Sequence, residues 1–199
     1  MEAESRIPSC ISDSCILVGG QPRSGTTLFS SILRSSETHF QAFELHIRKP
    51  SFLVGLEGRY TRRIFAGLGL PEQEFDKIIA LVPSAEMNLG AWVGPREQVS
   101  AEPLSGKETT NFLQELRARS WLTTLLMRRV TELNRKSRWG FKILGDIVFA
   151  DTYCSIWPNA TFILIIRDPR DYALSILELN KQRQARKQPC FYKDVAEAV

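Results

Sequence analysis

The sequence predicts an α/β domain, a parallel β-sheet flanked by helices, and three observations carry that prediction. Two short runs, Cys15 to Gly20 and Thr161 to Ile166, are almost wholly apolar, the pattern of strands buried on both faces. Segments of helical periodicity alternate with such runs, which favours parallel strands joined by right-handed crossovers. Each run also leads straight into a polar turn and then a helix, which puts charged and glycine-bearing turns at the carboxyl ends of strands, where open parallel sheets bind ligands.

The 199 residues suit a single domain, 1–199, and a composition of 43% hydrophobic and 24% charged residues is that of an ordinary globular protein. A net charge of +4 is compatible with an anionic ligand without selecting one. No apolar run approaches the ~20 residues needed to span a bilayer. The first residues, Met1 to Arg6, begin acidic and lack the basic and apolar regions of a signal peptide, so the default expectation is a cytoplasmic protein. Cys10, Cys15, Cys154 and Cys190 show no C-x-x-C spacing and no nearby histidine cluster, and are expected as neutral thiols rather than a metal site.

In chain order, residues 1–14 are polar and aperiodic and read as a loose leader. After the strand Cys15 to Gly20, a helix starts at Thr26, with Leu28, Phe29, Ile32 and Leu33 as its apolar face and Ser35 to Thr38 as its end. Phe40 to Ile47 reads as extended, with His39, Glu44 and His46 in or beside it. The stretch 50–106 is rich in glycine and proline and reads as a helical and loop insert, either an acceptor lid or a structural cap. It carries one helix over Tyr60 to Leu68 and another after Pro71, with Phe75, Ile78, Ile79 and Val82 at helical spacing; Ser84 to Ser105, with Trp92, reads as loop.

The longest helical signal is Glu108 to Arg135, with an apolar stripe of Leu122, Leu125, Leu126, Val130 and Leu133 opposite Arg117, Arg128 and Arg135. A strand over Trp139 to Leu144 carries Lys142, and a short helix over Val148 to Trp157 stops at Pro158. Thr161 to Ile166 is the clearest buried strand; it runs into Arg167-Asp168-Pro169-Arg170-Asp171 and a helix from Tyr172 to about Gln182. The basic residues from Lys181 to Lys193 read as a solvated helix face. There is no internal repeat, and no nucleic-acid reader motif is present.

The chemistry centres on Gly20 to Thr27. This stretch nearly spells the phosphate loop G-x-x-x-x-G-K-[ST], but Thr26 stands where the lysine belongs, and the nearest cation is Arg23 inside the loop. A strand, such a loop and a helix N-terminus form a cradle for phosphate or sulfate. Lys142 and Arg167 lie on or just after two other strands, so an anion cradle and two cations are expected on one rim of the sheet. Either cation alone has an ordinary explanation: Arg167 can pair with Asp168 or Asp171, and Lys142 can cap an exposed strand end.

Pro22-Arg23-Ser24-Gly25-Thr26-Thr27 resembles the 5′-phosphosulfate loop of sulfotransferases that use 3′-phosphoadenosine 5′-phosphosulfate (PAPS). Ile166-Arg167-Asp168-Pro169-Arg170-Asp171, followed by Ser175, is similar to their 3′-phosphate motif, and Trp139-Gly140-Phe141-Lys142 looks like the lysine-bearing strand between the two. The P-R-S-G-T-T form is closest to the tyrosylprotein and bacterial branches. The resemblance runs from the end of the leader to about Leu179, the insert excepted.

It implies a P-loop nucleoside triphosphate hydrolase-like fold and in-line transfer of a sulfuryl group to a hydroxyl or amine acceptor, a small molecule or a polymer, with no metal required. By resemblance, the backbone of Ser24 to Thr27 and the hydroxyls of Thr26 and Thr27 hold the 5′-phosphate, while Arg23 and Lys142 stabilise charge at the bridging oxygen. Arg167 and Ser175 hold the 3′-phosphate. The acceptor's proton goes to a base after the first helix: Glu44 by its match to the tyrosylprotein branch, with His46 as rival and His39 third. Larger members of the family continue beyond the position of Val199, so the resemblance also allows a C-terminally truncated member. Two further readings stay open, a sulfotransferase-like binding protein without catalysis and a P-loop kinase or NTPase; the second is opposed by Thr26 in the lysine position.

Overall fold

The computed structural model describes residues 11–45, 59–81, 106–144 and 149–189. The elements in order are β1 (Cys15–Gly20), α1 (Thr26–Arg34), β2 (His39–Glu44), α2 (Arg59–Gly67), α3 (Glu72–Ile79), α4 (Gly106–Leu133), β3 (Arg138–Leu144), α5 (Ala150–Ile156), β4 (Thr161–Ile165) and α6 (Pro169–Ala185). The four strands form one parallel sheet in the order β2-β3-β1-β4, so the architecture is α/β as expected.

β1 is central, paired with β3 on one side and β4 on the other, and its Leu17 and Val18 are fully buried, so both faces of the sheet are covered there. In register, Leu17 stands between Phe141 of β3 and Phe162 of β4, and Cys15 opposite Trp139. This layer packs with α4 and α5. Trp157, at the end of α5, meets Phe141 edge-on at 5.9 Å and Trp139 edge-on at 6.3 Å, and donates its indole N–H to Thr124 Oγ1 at 3.0 Å. Burial pushes the Cys15 thiol far up, which makes it an inert core group; Cys15 and Cys154 are both free.

Four expectations change. The end of the leader is not loose, because residues 11–14 are held at three points. Ile11 is buried and donates its N–H to Ile156 O, Ser12 O accepts from Asn159, and Asp13 accepts from Arg128 and from the Trp139 indole. Only half of the expected apolar face of α1 turns inward, Phe29 and Leu33 being half-buried. Leu28 and Ile32 are exposed, whereas Thr26 and Ser30 are the buried positions of a helix that packs on β2, β3 and β1; small side chains let it approach the sheet closely.

The strand expected to be the most deeply buried, β4, lies at the edge of the described sheet, with Leu164 52% and Ile166 82% exposed. Apolar composition reports what a strand can bury, not how many neighbours it has. Finally, α4 is buried on more than one stripe. Leu122, Leu126 and Val130 are buried as expected, but so are Leu116, Met127, Thr123 and Thr124, while Leu133 is 41% exposed. The two threonine hydroxyls turn back to the carbonyls of Arg119 and Ser120, which satisfies them inside the core.

Of the expected insert, α2 and α3 belong to the core: Phe65, Leu70, Phe75 and Ile78 join the main hydrophobic cluster. Arg62 bonds Glu72 and Asp76, and Arg129 of α4 bonds Glu74, tying these helices to each other and to α4. Val82 and the stretch with Trp92 lie outside the described residues. Among the described residues, no helix is long and apolar enough to cross a membrane.

Candidate functional site

The loop between β1 and α1 leaves the sheet through Gly20. A Cβ there would come within 2.6 Å of the Ile165 carbonyl on β4 and 2.8 Å of Ser24 Oγ, and the backbone sits at φ +153°, so only glycine fits. The loop then closes on itself: Ser24 donates its N–H (3.2 Å) and its hydroxyl (2.6 Å) to Gln21 O. Arg23 and Gly25 flank that closure with φ of 70° and 97°. Gly25 stands at the N-cap of α1 without a side chain to cap it, and Phe29 is the first residue to bond back into the helix. Among the described residues, the N–H groups of Gly25, Thr26 and Thr27 make no hydrogen bond. Open N–H donors at the positive end of a helix dipole are what an anion requires.

Three side-chain contacts bind distant motifs to this loop. Lys142 of β3, 7% exposed, donates to Thr27 Oγ1 at 3.1 Å. Arg23 donates from Nε to Ser175 Oγ of α6 at 3.1 Å. Arg167, between β4 and α6, donates from Nη1 to the Arg23 carbonyl at 2.9 Å. Its approach to Asp171 is long, 4.0 Å, and exposed. Asp168 is engaged elsewhere. It caps α6 by accepting the Arg170 N–H, and the Arg170 guanidinium beside it holds its carboxyl below the usual range.

Parallel connectivity explains the convergence. The first loop, Lys142 and Arg167 are on or beyond the carboxyl halves of β1, β3 and β4, three adjacent strands that run in one direction. Three cations, a set of open N–H groups and several hydroxyls therefore surround one region suited to an extended anion.

A family model described as the sulfotransferase family matches residues 15–197. The chain belongs to the sulfotransferase family. No curated protein and no solved structure matches it. The parallel α/β sheet described above is the fold expected of that family.

Within this sulfotransferase-family chain, the structure gathers Arg23, Thr27, Lys142, Arg167 and Ser175 by direct contact, with Pro22, Gly25 and Thr26 in the same loop. Ser24 was expected to offer its N–H to the ligand; it spends that donor on Gln21 O, so the open groups begin at Gly25. Glu44 stands opposite Lys142 in the β2–β3 register, after a local irregularity that follows Gln41. His46 lies outside the described residues. His39 is buried and bonded to Gln41 at 2.7 Å at the amino end of β2, away from the carboxyl ends where the loop, Lys142 and Arg167 gather. Among the described residues there is no His, Cys, Asp and Glu group that could hold a metal.

Sequence reasoning placed Gly20 at the head of the phosphate-loop pattern without giving it a role of its own, and passed over Gln21. The first had a legible signal, a glycine at the end of an apolar run. The second acts through its backbone carbonyl and had none.

Proposed function

We propose that this protein is a PAPS-dependent sulfotransferase that transfers a sulfuryl group to a hydroxyl or amine acceptor. The observation that carries the reading is the set of three contacts, Lys142 to Thr27, Arg23 to Ser175 and Arg167 to the Arg23 carbonyl, which draw together motifs more than a hundred residues apart. The fit to the donor rests on the open N–H groups of Gly25 to Thr27 and on the spread of cations from Lys142 to Arg167.

In this reading PAPS supplies an activated sulfuryl group on a phosphate leaving group. The open N–H groups and the hydroxyls of Thr26 and Thr27 hold the 5′-phosphate, with Pro22 and Ser24 shaping the turn. Arg23 and Lys142 stabilise the charge that grows on the bridging oxygen, and they do so from fixed positions, without reorganising at the moment of reaction. Arg167 and Ser175 hold the 3′-phosphate; a planar guanidinium suits phosphate oxygens and has donors to spare after its bond to Arg23. Glu44 accepts the acceptor's proton, in line with its register opposite Lys142.

Calorimetric titration and a labelled-donor assay test the proposal. Adenosine 3′,5′-bisphosphate is expected to bind without magnesium, and labelled PAPS to pass its sulfate to a member of a panel of phenols, alcohols, sugars and amines. Arg23→Ala should lower kcat by about 10²–10³-fold, the usual loss for one preorganised donor. Magnesium-dependent ATP binding would instead identify a kinase or NTPase, and bisphosphate binding without transfer to any acceptor a non-catalytic binding protein.

A further inference from the structure

We infer that Arg167 is a positioning residue for the loop around Arg23, and thus acts on the 5′ end of the bound nucleotide as well as on its 3′-phosphate. The inference rests on the PAPS reading above. Arg23 has a left-handed backbone, φ 70°, which a residue with a Cβ adopts at a cost and keeps only where its surroundings impose it. What imposes it here is visible. Its carbonyl is taken by the Arg167 guanidinium at 2.9 Å, a charge-assisted bond, and its own guanidinium is held by Ser175 at 3.1 Å.

The next residue, Ser24, is locked to Gln21 O, and Gly25 completes the turn at a second positive φ. The peptide linking Arg23 to Ser24, whose oxygen Arg167 holds, sits directly before the open N–H groups of Gly25, Thr26 and Thr27. Releasing that oxygen lets Arg23 relax toward ordinary backbone angles, and this turns the N–H groups and the Arg23 side chain away from a common ligand. The two ends of the nucleotide site are therefore mechanically linked through one backbone carbonyl.

The linkage makes a measurable claim: Arg167 affects a ligand that has no 3′-phosphate. The test compares adenosine 5′-monophosphate with adenosine 3′,5′-bisphosphate by calorimetry in the parent chain, Arg167→Ala, Arg23→Gly and the double variant. Arg167 is exposed, and melting curves report whether each variant is folded. Arg167→Ala is expected to weaken the monophosphate by about tenfold, the scale of one charge-assisted hydrogen bond, and the bisphosphate by more. Glycine has no penalty at φ 70°, so in the Arg23→Gly background the same substitution should cost the monophosphate little, a non-additive cycle that a general loss of structure would not produce.

Arg167→Lys, which retains a cationic donor, should restore part of the monophosphate affinity. If Arg167→Ala weakens only the bisphosphate, Arg167 reads the 3′-phosphate alone and the inference is overturned while the PAPS reading stands. Equal losses with and without Arg23 also overturn it. A parent chain that binds neither nucleotide removes both.

Discussion

His39 and Gln41 form a buried pair on β2, with Nε2 and Oε1 2.7 Å apart. An amide oxygen only accepts, so this contact places the ring proton on Nε2 and leaves Nδ1, which has no hydrogen-bond partner, as the bare nitrogen of a neutral imidazole. Burial lowers the His39 pKa below its ordinary value; the Gln41 bond partly opposes this, and the nearby Arg138 charge adds to the lowering. The sign follows. Below pH ~6.5 the unfolded chain takes up a proton that the folded chain refuses, so stability falls as pH drops through that range, by at most about 1.4 kcal/mol per pH unit for one group. Melting curves should shift down between pH 7 and pH 5.5, and His39→Gln should flatten the profile; equal slopes for parent and variant would refute the assignment. At this scale the chain was legible where position relative to a strand end carried the meaning. The lysine-free loop at Thr26, Lys142 and Arg167 were all found that way. The inward role of His39 was not, because a histidine in an extended segment reads equally well as a base or as a core residue.

Among the elements, β4 shows how composition and placement can part. Its apolar run identifies a strand, and register against β1 bears that out. Yet no strand pairs with its outer edge among the described residues, and Leu164 stays half exposed. An uncharged, apolar edge is a template for pairing with other chains. Leu164→Lys is expected to reduce light scattering of concentrated protein while changing stability by about 0.5 kcal/mol or less, the usual effect of a surface substitution. Unchanged scattering would mean that the edge does not drive association. The same limit governs α1. Its periodicity marks an apolar stripe, of which Phe29 and Leu33 are half-buried while Leu28 and Ile32 face solvent, and the most deeply buried positions are Thr26 and Ser30. A helical period says that a helix has two sides; which side meets the sheet depends on how close the backbones must come. Element identity was thus legible from β1 to α6, whereas the buried side was legible in β1, in α3 and along most of the α4 stripe but only in part for α1 and β4.

At the scale of the molecule, order in space had no local signature. Nothing between residues 11 and 14 announces that Asp13 will take a bidentate bond from Arg128, 115 residues on, and the indole N–H of Trp139 at 3.1 Å. That one carboxylate joins the entry to β1, the last third of α4 and the first half of β3, at the end of the sheet opposite the Gly20 to Thr27 loop. Ile11 adds a buried side chain and a backbone bond to Ile156 at the end of α5. The segment thus closes the layer in which Trp139, Phe141 and Trp157 meet. Arg128 is solvated enough to discount its ion pair, so most of the effect of Asp13→Ala comes from the indole donor left without its partner. A loss of about 1–2 kcal/mol follows, a fall in melting temperature of roughly 3–6 °C for a chain of this size. Asp13→Asn keeps an acceptor for Trp139 and should fall between the two. Because the clasp and the Gly20 to Thr27 loop lie at opposite ends of β1, neither substitution should alter affinity for adenosine 3′,5′-bisphosphate once the protein is folded. An unchanged melting temperature would show that residues 11–14 rest on the fold without holding it. A lost nucleotide affinity in folded protein would show that the sheet transmits strain along β1 from one end to the other.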